Sequence, residues 1–171
     1  LQTVAEPAYR ALLKRNMQRL GAYSLREYAE LYQAFFNLHA REQGAILGSA
    51  YDKASHALLA RFRHALRTER AQLLSSPFEL ALVLESVGGL RASYSRLLSD
   101  EGMAQEVVAL LGDVDVSGDA HGMATSTRLF NFVAQLYKDA PQTAGLPQLA
   151  QKLEAVFDKN LDALLNKSNL D

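Results

Sequence analysis

Apolar residues recur along this chain at steps of three and four, the spacing of one face of an α-helix. The stripe is clearest in Ser24–Ala40 (SLREYAELYQAFFNLHA), where Tyr28, Leu31, Tyr32, Phe35 and Leu38 share a face. Pro7–Leu20 predicts an earlier helix, with Ala11, Leu12, Met17 and Leu20 turned inward and Gly21 ending it. Its other side is basic, carrying Arg10, Lys14, Arg15 and Arg19. The longest pattern runs from Gly44 to about Arg70, with Ile46, Leu47, Tyr51, Leu58, Leu59, Phe62 and Leu66 on the buried side. Further helices are expected over Ser76–Ala92, Tyr94–Leu111 (broken near Ser99-Asp100-Glu101-Gly102), Thr125–Asp139 and Gln148–Leu165. Gly112–Gly122 reads as a polar loop, and Pro141 and Pro147 bracket a turn.

The pattern repeats. Ser24–Ala40 returns 52 residues later as Ser76–Ala92: Ser24 aligns with Ser76, Glu27 with Glu79, Ala29 with Ala81, Leu38 with Leu90 and Ala40 with Ala92. The apolar positions Tyr28, Leu31, Tyr32 and Phe35 align with Leu80, Val83, Leu84 and Val87. The same offset carries into the following helix, where Ala57-Leu58-Leu59 aligns with Ala109-Leu110-Leu111. Each unit opens with Ser and has Glu three residues on. That is the capping-box arrangement, in which hydroxyl and carboxylate satisfy free backbone N–H groups of the first turn. Pro77 suits the first helical position, because its missing N–H would have no partner there in any case. A third, altered unit begins at Thr125 at an offset nearer 49, with Arg128 where the capping Glu would stand. Periods of this order mark helical solenoids. The expected fold is therefore all-α, a single domain over residues 1–171: stacked antiparallel helical hairpins in a short α-solenoid of about three repeats. The alternative is a helical bundle.

Composition narrows the chemistry. The 49% hydrophobic content is enough to build a core, and the absence of Cys excludes disulfides, thiolate metal sites and a Cys nucleophile. No apolar run approaches the ~18 residues that span a bilayer, so no membrane insertion is expected. Leu1 in place of an initiating Met fits a processed or truncated start. The net charge of −1 is unevenly spread: residues 1–100 carry 13 Lys and Arg against 9 Asp and Glu, and residues 101–171 carry 5 against 10. The first part could meet an anionic partner.

Two groups of residues are candidates for chemistry. His56, Arg63, Arg67 and Arg70 fall at helical spacing on one face, with Arg61 nearby. Such a row could hold the phosphates of a nucleic acid, could meet an acidic partner, or could be a solvated helix face. In the loop, Asp113, Asp115 and Asp119 with Gly118 resemble the opening of an EF-hand calcium loop. The twelfth position is Ala124, so the bidentate carboxylate is missing, and a plain solvated connection is the competing reading. His39, His56, His64 and His121 are too scattered to argue for a metal cluster, and His39 reads as a packed or helix-terminal residue. Tyr28, Tyr32, Phe35 and Phe36 could stack bases, but their helical spacing favours the core. No nucleophile–base arrangement or phosphate-binding Gly loop stands out, so no enzyme activity, cofactor or small-molecule substrate is expected.

The Ser-x-x-Glu-x-Ala starts at Ser24–Ala29 and Ser76–Ala81, with their apolar runs ending Leu38-x-Ala40 and Leu90-x-Ala92, resemble the degenerate helical-hairpin repeats of organellar proteins. That is the octotricopeptide and FAST-kinase-like class. The resemblance covers about residues 24–165 and carries over no functional residue. It implies mitochondrial or chloroplast residence, and either RNA binding or a structural role in a ribosome or RNA-processing assembly. The units here are longer than is typical of that class and the chain is not basic. The expected function is a non-catalytic scaffold subunit of a larger mitochondrial assembly, its partners other protein subunits. The alternatives are an RNA-binding repeat protein and a calcium-responsive protein using the 113–122 loop. Cytoplasmic residence is the alternative address.

Overall fold

The computed structural model describes residues 2–42, 50–117 and 121–168, and the described residues form nine α-helices and one 3-10 turn. These are α1 (Gln2–Gln18), α2 (Leu25–Glu42), α3 (Ala50–Thr68), α4 (Arg70–Ser75), α5 (Pro77–Gly89), α6 (Arg91–Ser99), α7 (Glu101–Gly112), α8 (Gly122–Asp139) and α9 (Leu146–Ser168), with the turn at Leu20–Ala22.

The first helices of the three units stack on one another. α5 lies between α2 and α8 and packs on both. Gln33 meets Ser86 and Phe36 faces Gly89, while Arg128 lies over Phe78 and Gln135 meets Gly88, so α2, α5 and α8 run in the same direction. The second layer holds α3 with α4, then α6 with α7, then α9. Within the first hairpin the direction reverses: Tyr28 donates to the Leu58 carbonyl, while Phe35 stacks on Tyr51. The last hairpin does the same, with Ser126 meeting Asn160 and Phe130 stacking on Phe157. This is the expected stack of helical hairpins.

The repeat register read from the sequence is the burial register. Tyr28, Leu80 and Leu129 are equivalent and fully buried, as are Tyr32, Leu84 and Val133, and Phe35, Val87 and Leu136. The aromatic set of α2 is core: Tyr28 and Tyr32 have no exposure. The Tyr32 hydroxyl donates to Ser93 Oγ (2.8 Å), which in turn donates to the Ser55 carbonyl (3.3 Å), so the phenol is buried with its hydrogen bond made.

Local signals held in some places and failed in others. At Ser24 the capping box forms, with Ser24 N donating to Glu27 Oε2 (2.8 Å) and Glu27 N donating to Ser24 Oγ (3.3 Å). The matching box at Ser76 and Glu79 does not form. Ser76 also closes α4, its N–H donating to the Leu73 carbonyl, and its ψ of 67° is not the extended geometry that aims a cap hydroxyl at the first turn. The long pattern from Gly44 breaks at Glu69 into α3 and α4, and Ile46 and Leu47 lie outside the described residues. The break near Ser99–Gly102 is present, capped by Asp100 accepting from Met103 N (3.0 Å).

The first helix is turned relative to expectation. Ala11 and Leu12 are exposed, Leu12 by 56%, while Leu13 and Met17 pack against the core. Leu13, Met17 and Leu20 line up at helical spacing, and α1 meets the body mainly at α3 and the 3-10 turn, so only that narrow stripe is covered.

Candidate interaction surfaces

The arginine row of the first unit faces the second unit, and each member meets a carboxylate there. Arg63 pairs with Asp100 (2.7 Å), Arg67 with Glu106 (3.1 Å) and Arg70 with Asp113 (2.6 Å). The three acids stand at the start, middle and end of α7, so the pairs form a ladder joining the second layers of adjacent repeats. Arg70 also donates to the Ala109 carbonyl near the C-terminus of α7 (3.3 Å), where a cation is favoured. The pairs are partly exposed, so each is worth little alone, but the row's charge is balanced within the chain. His56 lines an open pocket of about 440 Å³ beside Arg63, Arg96 and Asp100.

Arg61 belongs to a different environment. Its side chain is only 9% exposed, pairs with Glu69 (3.0 Å), lies over the Tyr28 ring and reaches the Leu20 carbonyl (3.4 Å). It ties the break between α3 and α4 to the 3-10 turn. His39 is packed, stacking on Tyr51 with ring centroids 4.1 Å apart, and burial lowers its pKa.

In the loop after α7, the two candidate aspartates among the described residues already have partners. Asp113 faces Arg70, and the Ser117 side chain together with its N–H (2.9 Å) hydrogen-bonds Asp115 and lowers its pKa. The Lys152 ammonium reaches in from α9 and donates to the Gly112 and Val114 carbonyls. A lysine thus stands beside the two aspartates, on the backbone carbonyls that flank Asp113. Val114 and Val116 are buried and pin the loop to the core. Asp119 and Gly118 lie outside the described residues.

Two features of the structure were not singled out from the sequence. Arg128, the residue replacing the capping Glu of the third unit, pairs with Glu85 of α5 (3.0 Å) and lies over the Phe78 ring. Its departure from the repeat pattern was the available signal. The other is a groove of about 490 Å³ between α1 and α3, floored by Leu13, Met17, Ala54 and Ala57 and edged by Arg10, Lys14 and Lys53. The rotation of α1 creates it, and that depends on packing the periodicity does not encode.

Comparison with protein-family models, curated proteins and solved structures finds no match to this chain.

Proposed function

We propose that this chain is a non-catalytic interaction subunit that holds other proteins in a larger assembly. The observation that supports this best is where apolar surface remains after the core is filled. Tyr9 (41%) and Leu12 (56%) stand out on α1, and Leu161 (37%) and Leu165 (52%) on α9, at the two ends of the stack. Uncovered apolar side chains at the ends of a repeat array are where a further element or partner would add. The polar groups between those ends are largely engaged with one another, as the ladder and the Lys152 contacts illustrate. Balanced arginines give RNA phosphates little net field, so the protein-partner reading takes precedence over the RNA one. The organellar setting rests on the resemblance of the repeat starts alone.

Native purification from source cells, split into nuclease-treated and untreated halves, tests the proposal. The expected outcome is one stable set of co-purifying proteins in both halves. Partners that disappear with nuclease would replace this reading with RNA binding.

A further inference from the structure

The groove at one end of the stack and the helix at the other are complementary. The groove is lined by apolar Leu13, Met17, Ala54 and Ala57 and by the cations Lys14 of α1 and Lys53 of α3, with Arg10 one turn before Lys14. Unlike the arginines of the ladder, Lys14 and Lys53 make no ion pair among the described residues. The small, partly exposed Ala57 on the α3 side lets a helix approach closely.

On α9, Leu149 and Leu153 are buried and Val156 packs against them, but the helix continues past the body. There Leu161 and Leu165 are exposed one turn apart. Beside them runs an exposed acidic row, Glu154, Asp158 and Asp162, again at four-residue steps, with no ion-pair partner among the described residues.

The geometry points to head-to-tail self-association: the C-terminal half of α9 of one copy seats Leu161 and Leu165 in the α1–α3 groove of a second copy, with its acidic row against the cationic rim. This rests on the reading of the chain as an interaction subunit and names a copy of itself as a partner. Paired apolar anchors on one helix face entering an apolar groove are a recurring recognition mode, and the opposite charges fix the direction of entry. The two patches differ and lie on different repeats, so the contact is heterologous. It leaves a free groove and a free α9 at the ends of an open oligomer, and none where the rotation closes a ring.

Sedimentation velocity of the 171-residue chain across a roughly hundredfold concentration range tests this, since mass action should populate oligomers as concentration rises. The average mass should rise with concentration and fall back with added salt, because the rim charges are exposed. A groove variant (Lys14→Glu with Lys53→Glu) and an α9 variant (Leu161→Ser with Leu165→Ser) should each stay monomeric. Both pairs sit at exposed or rim positions, and helical circular dichroism checks that the variants are folded. Mixed, the two variants still have one intact α9 and one intact groove between them, so they should form a 1:1 pair and nothing longer. A parent chain that stays monomeric throughout, or a mixture that does, overturns the proposal. A monomeric chain that nevertheless keeps nuclease-resistant protein partners removes self-association alone and leaves the interaction-subunit reading standing.

Discussion

At the residue scale, the Gly88-Gly89 pair shows how closely the repeats approach. Both are in the last turn of α5, and each faces a different neighbour. A Cβ on Gly89 would lie 2.2 Å from the Phe36 ring of α2, and one on Gly88 would lie 2.9 Å from Oε1 of Gln135 on α8. The obstacles differ in kind, since a ring packed between helices yields less readily than the end of a glutamine. Ala would gain up to ~1 kcal/mol over Gly in helix propensity, against an overpacking cost of ~1–3 kcal/mol. Gly89→Ala is therefore expected to lower stability by about 1–2 kcal/mol, read in chemical denaturation. Gly88→Ala should change it less. In a Phe36→Ala background the Gly89→Ala penalty should vanish, and a penalty that persists there would show that the ring is not its source. From sequence the pair could mean a helix end or a close approach, and both hold.

At the element scale, the joints between repeats separate what the sequence shows from what it hides. The stripes of α2, α5 and α8 were legible, because burial on one helix face imposes a period that any reader can count. The ladder was not. Arg63, Arg67 and Arg70 showed their common face, but their partners are about forty residues away, and nothing local says that α7 will lie alongside. The failed cap at Ser76 has the same origin, since α4 delivers the chain to that serine in a conformation the local motif does not anticipate. Removing one partner of a partly exposed pair costs little, about 0–1 kcal/mol. The Arg61–Glu69 pair is different, because Arg61 is 9% and Glu69 22% exposed. Breaking a fully buried pair costs about 3–5 kcal/mol, so Arg61→Ala should cost somewhat less, about 2–3 kcal/mol. Arg67→Ala should fall within ~1 kcal/mol of the parent. Equal losses at Arg61 and Arg67 in equilibrium unfolding would mean that burial does not separate the two pairs.

At the scale of the whole molecule, the stack gives every part of the chain a neighbour on only one or two sides. α5, between two repeats, carries the most apolar sequence, with Glu79 and Glu85 as its charges, while α1 and α9 at the ends keep more charge and exposed leucines. The uneven charge seen in the sequence falls as a basic α1 against an acidic α7 and the loop after it, while α9 carries three lysines against three acids and keeps its acids in one row. What the sequence could not convey is which of its cations remain unpaired once folded. That depends on the approach of α7 to α3, and of α9 to the loop, where Lys152 reaches the Gly112 and Val114 carbonyls.

The buried phenols give the molecule an optical signature. The chain has no Trp and 7 Tyr, so its near-ultraviolet spectrum is a tyrosine spectrum. Burial raises the pKa of Tyr28, Tyr32 and Tyr94, and for Tyr94 the hydrogen bond it donates to Asp139 adds to the effect. The sign follows: up to the ordinary tyrosine pKa of about 10, both states keep these protons and stability does not depend on them. Above it, the unfolded chain releases protons that the folded chain retains, and stability falls as pH rises. In an alkaline titration, the tyrosinate absorbance of these three residues should therefore develop together with the loss of helical circular dichroism. Full development of that absorbance while the helices persist would show that the phenols are open to hydroxide. If the two signals coincide, the absorbance of the unlabelled protein reports its own unfolding.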